Sequence, residues 1–347
     1  MRDVIFVACI LRVHKELVGE SETPSHDPAT WAMSIADRCN PNDKKVLLQI
    51  KKSFNDPYLL ASWNPKTDCC GWYQLECDEI TNRVTALTIF GGEISGQIPP
   101  YVGDLPHLKT LIFRKLSNLT GHIQPAIAKL KNLTMIRLSW TNLSGPVPDF
   151  LSTLPNLDYL DLSFNDLTGS IPPSLAKLTK LNALHLDRNR LTGSIPEAYG
   201  QFKGSVPDLY LSHNRLTGKI PKSLGDLDFS VIELQRNMLV GDASFLFRNS
   251  SRSTFRIDIS RNLLEFDLSG AIFPENLGAL DISHNRIYGN IPSQITSLGN
   301  LQGLNASYNR LCGKIPQGGR MGRFDYSSFF HNRCLCGTPL PNNCTSG

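Results

Sequence analysis

Six carboxylates recur at a near-constant interval along the middle of this chain: Asp161, Asp187, Asp208, Glu233, Asp258 and Asp281. Carboxylates so arranged suit two chemistries. A pair held about 5–10 Å apart around a pocket hydrolyses glycosides. A row of them on an open face attracts a cationic partner instead. Tyr159, His185, Tyr210 and Gln235 sit at equivalent positions among them and add larger contact surfaces. A second column recurs at the same interval. It reads Lys115, Trp140, Phe164, Arg188, His213, Arg236, Arg261, His284 and Tyr308, with its cations concentrated at Arg188, His213, Arg236, Arg261 and His284.

The interval is set by a repeat. Leu87, Leu111, Ile136, Leu160, Leu184, Leu209, Ile232, Ile257, Leu280 and Leu304 head ten units of 23 to 25 residues with the pattern LxLxxNxLxGxIPxxLxxLxxL. That period and pattern predict an α/β leucine-rich-repeat solenoid. The expected form is a curved right-handed horseshoe with a parallel β-sheet on its concave face, short helical or 3-10 segments on the convex side, and disulfide-bonded caps. Alternation in LxL points the leucines inward and the residues between them outward. The Asn at 165, 189, 214, 237, 262, 285 and 309 is expected to tie each turn to its neighbour. Gly92, Ser117 and Thr141 take that place in the early units, with Leu116 read as a one-residue insertion, and Phe266 predicts a local bulge. A curved open sheet offers no deep pocket to raise one carboxyl above another, and no nucleophile elbow, HExxH or phosphate loop is present. The acids therefore read as a binding face, and the expectation is a protein that is not an enzyme and uses no cofactor.

Solenoid ends must be covered, and the cysteines mark where. Cys39, Cys69, Cys70 and Cys77 precede the first repeat; Cys312, Cys334, Cys336 and Cys344 follow the last, with none between and Cys9 left over. They read as disulfides formed in an oxidising compartment, and no His or acid at ligand spacing supports a metal. Asn42 or Asp43 is expected to start a cap helix whose apolar face is Val46, Leu47, Ile50 and Phe54. Residues 1–36 read as an atypical leader, 37–81 as the N-terminal cap, 82–316 as the repeats and 317–347 as the C-terminal cap. Sequons at Asn118, Asn132, Asn142 and Asn249 are candidate glycan sites; those at Asn305, on a strand, and Asn343, beside Cys344, are poorer ones. The net charge of +4 is mild and gives no support to nucleic-acid binding, and no run approaches the ~18 apolar residues of a membrane span.

The GxIPxxLxxL spacing, together with CNPNDKKVLLQIKKSF (39–54), DCCGWYQLECD (68–78), NRLCGKIPQGG (309–319) and FFHNRCLCGTPLP (329–341), resembles the plant polygalacturonase-inhibiting proteins over residues 37 to 345. The same family includes the carrot antifreeze protein, to which DCCGWYQLECDE (68–79) and FRKLSNLTG (113–121) are similar. The resemblance implies a monomeric protein of the plant cell wall, secreted for defence, whose concave face docks on fungal or insect endopolygalacturonases. It also implies pectin binding along the basic margin, where Arg236 and Arg261 match the family strip and His213 and His284 replace its usual bases. Ice binding is the alternative, carried by Thr120, Thr168, Thr192 and Thr217 but interrupted by Val240, Glu265 and Tyr288. A peptide-sensing ectodomain is a third reading. For the leading one, Asp161 and Asp187 are expected to point away from the core, and His213 and His284 to be charged at the acidity of a plant wall.

Overall fold

The computed structural model describes residues 38–247 and 253–344. The leader segment, Cys9 and the Asn249 sequon lie outside these residues. The cap helix α1 (Pro41–Ser53) begins earlier than the sequence suggested. Asn40 is its N-cap, with Oδ1 accepting from the amides of Asn42 at 3.0 Å and Asp43 at 3.4 Å, and Pro41 opens the first turn. Its Leu47, Ile50 and Phe54 are buried in the first repeat, whereas Val46 is only partly covered. Asp43 is 1% exposed; its carboxylate takes both a bidentate Arg83 guanidinium, at 2.8 and 2.9 Å, and the Val84 amide at 3.0 Å. A buried charge is tolerable only when its lone pairs are so filled, and here that pairing locks the cap onto the sheet. Trp63 and Trp72 stack at 5.8 Å behind it.

Strand β1 (Leu75–Cys77) pairs antiparallel with β2 (Val84–Phe90) and covers the sheet's first edge. From there the strands run parallel: β3 (Thr110–Gly121), β4 (Met135–Pro146), β5 (Tyr159–Asp161), β6 (Ala183–His185), β7 (Asp208–Tyr210), β8 (Val231–Glu233), β9 (Arg256–Asp258), β10 (Ala279–Asp281) and β11 (Gly303–Asn305). The ten leading residues pair in one unbroken register, Leu87 to Leu111 through Leu280 to Leu304. All are buried, in a single core that runs the length of the solenoid. Short 3-10 turns such as Pro125–Lys129, Pro173–Lys177 and Lys222–Asp226 return the chain on the other side.

The Asn ladder works as its chemistry requires. Asn214 donates to Leu186 O of the preceding repeat at 2.9 Å and to its own Leu211 O at 3.1 Å, while its Oδ1 accepts from Leu191 N at 2.9 Å. One amide thus satisfies three buried backbone groups that the tight turn leaves without a strand partner. In the third unit Thr141 fills this position and donates to the Asn165 carbonyl oxygen. In the second unit the structure corrects the sequence alignment. Leu116, buried, pairs with Thr141 and holds the ladder position, and the extra residue comes after it, where the register shifts before Thr120. Phe266 is buried against Phe247 at 6.0 Å, and pairing there breaks to a lone bridge between Asp267 and Tyr288.

The disulfides are Cys39–Cys69, Cys70–Cys77, Cys312–Cys334 and Cys336–Cys344. The close sulfurs of Cys39, Cys69 and Cys70 are thereby committed to bonds rather than to a metal. At the C-terminal end the solenoid continues one turn past the tenth repeat. Asn332 takes the ladder position, donating to Ala306 O at 3.0 Å and Phe329 O at 2.8 Å and accepting from Leu311 N at 3.0 Å. Among the described residues no helix is long and apolar enough to cross a membrane.

Candidate functional site: the concave face and its margin

Three of the six acids of the concave face are spent on their own backbone. In the sequence Asp-x-Ser at a strand's end, the aspartate Oδ1 accepts from the serine amide two residues on, at 3.0 Å for Asp161–Ser163, 3.1 Å for Asp258–Ser260 and 2.9 Å for Asp281–Ser283; Asn305–Ser307 repeats this at 3.2 Å. Asp161 goes further. It is 2% exposed and ion-paired to Arg137 at 2.8 Å, so it is a structural acid and not the free, outward one the sequence suggested. Glu233 is held by Arg256 at 2.6 Å, and the same guanidinium lies 3.8 Å from Asp258.

The rule fails in the middle three units, where the motif becomes His185-x-Asp187, Tyr210-x-Ser212 and Glu233-x-Gln235. There His185 stacks on Tyr210 with ring centroids 4.0 Å apart and 7° between planes, and Tyr159 tilts against its other side at 5.2 Å. All three are half-buried. His185 Nδ1 stands 3.9 Å from Asp187. Such a distance suits an ion pair, but burial acts oppositely on the two charges. It lowers the His185 pKa and, with the Asp161 charge adding, lifts that of Asp187 to about 7. Burial dominates at both groups and favours the neutral form of each. Burial also raises Asp258 to about 6 and Tyr210 to about 12, and shifts Tyr159 and Asp208 upward. The face is consequently less negative in acid than a count of its carboxylates suggests.

At the margin, every residue of the second column has a left-handed backbone, with φ from +53 to +57° at Lys115, Trp140, Phe164, Arg188, His213, Arg236, Arg261, His284 and Tyr308. Non-glycine residues rarely sit there; the Asn ladder just after each one holds it in place. The bend turns these side chains into a stack beside the sheet: Trp140 on Phe164 at 3.6 Å, Arg188 over Phe164 at 4.9 Å and His284 on Tyr308 at 4.1 Å. Arg188, Arg236 and Arg261 are exposed, while His213 and His284 are half-buried. Partial burial, then the neighbouring arginines, push both histidines below their ordinary value. They gain charge only at lower pH than the sequence implied. Sequence reasoning listed this column without its backbone; the single available signal was its place immediately before the Asn.

Residues 40–78 match the leucine rich repeat N-terminal domain, and leucine rich repeat models match residues 131–191, 208–227 and 276–298. The chain is 70% identical over 307 residues to a polygalacturonase inhibitor of Vitis vinifera, covering 88% of this chain and 92% of that one. It is also 70% identical over 309 residues to one of Pyrus communis, covering 89% and 93%. The chain belongs to the plant polygalacturonase-inhibitor family of leucine-rich-repeat proteins. Among solved structures, a plant ice-binding protein is similar at 50% identity with a TM-score of 0.87, over 89% of this chain and all of that one. Membership in this family sets the chain among non-enzymes; Asp258 and Asp281 border a cleft of about 290 Å³ with Arg256 and Asn305, but each caps the amide of its own serine. Of the sequon residues described, Asn118, Asn132, Asn142 and Asn343 are exposed and Asn305 is half-buried. Asn132 and Asn142 carry local bonds through Nδ2, to Pro106 O at 2.9 Å and Ser117 O at 2.6 Å.

Proposed function

We propose that the protein acts outside the plant cell as an inhibitor of microbial or insect endopolygalacturonases, docking the centre of its concave face on the enzyme. The observation that carries this is the interruption of the Asp-x-Ser rule over three adjacent units between Asp161 and Asp258, where it holds on either side. There His185, Asp187, Tyr210, Glu233 and Gln235, with Tyr159 beside them, are released from backbone capping and form one patch. Asp208, Asp258 and Asp281 extend it as an acidic flank. The purified protein is expected to inhibit at least one member of a fungal polygalacturonase panel. Ice shaping without inhibition of any enzyme would overturn the reading. Ice binding has the weaker support: the row Thr120, Ser144, Thr168, Thr192 and Thr217 is followed by Val240, by Glu265 paired to Arg310 at 3.1 Å, and by Tyr288, which break any flat small-residue array.

The basic margin is proposed to hold de-esterified pectin. Arg188, Arg236 and Arg261 supply permanent charge to a column stepping about 4.8 Å per strand. Retention on immobilised polygalacturonate is expected to fall with salt. It should gain from His213 and His284 only as pH drops below their lowered values. Arg236→Gln should weaken retention at every pH, and His213→Gln with His284→Gln only at the acid end. Normal retention of Arg236→Gln would reduce the strip to a solvated edge.

A further inference from the structure

The N-terminal edge of the concave face carries a cleft of about 380 Å³, lined by Tyr73, Gln74, Leu75, Glu76, Thr88 and Phe90. It exists because the cap's β1 folds back over β2. Gln74 fastens that edge, its backbone oxygen accepting from Thr88 N and its Oε1 from Phe90 N, both at 2.9 Å. Tyr73 is fixed by its own backbone, whose oxygen accepts from Trp63 Nε1 at 2.9 Å and whose amide donates to Ser62 at 3.0 Å. Two aromatic side chains are thereby held open to solvent, Tyr73 at 76% and Phe90 at 45% exposure. Over the Phe90 ring stand two cations, the Arg114 guanidinium and the Lys115 ammonium, each 5.5 Å from its centroid. Arg114 is the counterpart of the serines whose amides cap concave acids, but Ile112 stands in the acid's place. The Arg114 Nε is buried and lacks any hydrogen-bond partner among the described residues.

We infer that this cleft binds the terminal uronate residue of an acidic polysaccharide, an end-recognition subsite for the chain proposed to lie along the basic margin. The inference rests on that pectin reading. A carboxylate on the ligand would meet Arg114 and Lys115, where a guanidinium fork can take both oxygens. The apolar face of the sugar ring would pack on Phe90 and Tyr73. Hydroxyls at the ring's other end would meet the Thr88 hydroxyl, the Gln74 Nε2 and the Glu76 carboxylate, which between them donate and accept. Glu76 also repels a second carboxylate at that end. This favours a sugar with one acid and several hydroxyls over an acidic peptide. Lys115 is the first member of the left-handed margin, and its ammonium over the Phe90 ring that lines the cleft makes the cleft and the strip neighbours. A chain lying along the strip with its end against the cap would place its terminal residue here.

The test compares trigalacturonate binding by calorimetry with retention on immobilised long polygalacturonate, using the whole secreted protein. Phe90→Ala and Arg114→Gln should each lower trigalacturonate affinity about tenfold or more, near the worth of one charge-assisted contact. Phe90→Tyr should restore it, and polymer retention should change little in all three. Arg236→Gln should do the reverse, losing the polymer and keeping the trimer. Equal trimer affinity in wild type, Phe90→Ala and Arg114→Gln, with polymer still retained, would remove the subsite and leave the strip. Displacement of the trimer by triglutamate at equal concentration would also overturn it, as a carboxylate site without sugar selectivity. A wild-type protein that holds neither ligand would end both readings.

Discussion

Replacing His185 and Tyr210 together by Ala is expected to weaken inhibition of a sensitive polygalacturonase by on the order of 10²-fold, about 3 kcal/mol, with unchanged thermal stability. The two rings are stacked at 4.0 Å and nearly parallel, and Tyr159 supports His185 from the other side. Aromatic side chains fixed by stacking have little rotamer freedom left to lose on docking, so most of their buried area becomes affinity. None of the three belongs to the leucine core, and none caps a strand end, so the solenoid should tolerate their loss. The single variants should not sum to the double, because removing either ring frees the other. Charge reversal at Asp161 makes a poor comparison for the same site. It would strip Arg137 of its buried partner, and any loss of inhibition would be confounded with misfolding. Inhibition constants and melting curves of the single and double variants decide the matter. A well-folded double variant that inhibits normally would remove the stacked patch from the interface.

How far the molecule could be read beforehand depended on which periodicity carried each part. The leucines repeat with the strand register, so strand positions, the buried face and the Asn ladder followed from spacing alone. The caps were legible as cysteine clusters, but their pairing was not, because that depends on how Cys39 and Cys69 approach across 30 residues. The second unit was misaligned since Leu116 fills the ladder without an amide, a substitution that only the register with Thr141 exposes. The face itself was the hardest to read. Sequence placed Asp161, Asp187 and Asp258 in one column family as equivalent acids. Their environments differ because Arg137, Ser163 and Ser260 approach from other strands or from two residues on. The Asp-x-Ser alternation was present in the sequence all along, and its failure at 185–187, 210–212 and 233–235 was the missed signal. The left-handed margin left no comparable trace, since Lys, Trp, Phe, Arg and Tyr do not favour that conformation and only its two histidines are of a type enriched there.

Affinity for the enzyme is expected to rise by on the order of 10²-fold between pH 5 and pH 8, and Asp187→Asn should remove most of that rise. In the free protein the Asp187 carboxyl stays protonated until about pH 7, because burial and the Asp161 charge oppose its ionisation; Asp258 behaves similarly near 6. A basic group on the docked enzyme would favour the ionised forms and return these values toward the ordinary 3.8 of an aspartate. Each unit of such a shift is worth about 1.4 kcal/mol, and a shift of two to three units produces the stated rise as pH crosses the free-state values. The same group has an opposite mark on stability. Its folded value lies above its unfolded one, so its cost to the fold is absent below about pH 4, grows through the interval, and is complete above about 7. Asp187→Asn should thus leave the melting temperature alone at pH 4 and raise it at pH 8, by about 2 kcal/mol of stability. Titratable groups on the enzyme contribute equally to both proteins, so the decisive quantity is the difference between the two profiles. Parallel profiles across the range, or an Asp187→Asn variant no more stable than wild type at pH 8, would show that Asp187 is ionised and solvated in the free protein and plays no part in a pH-dependent grip.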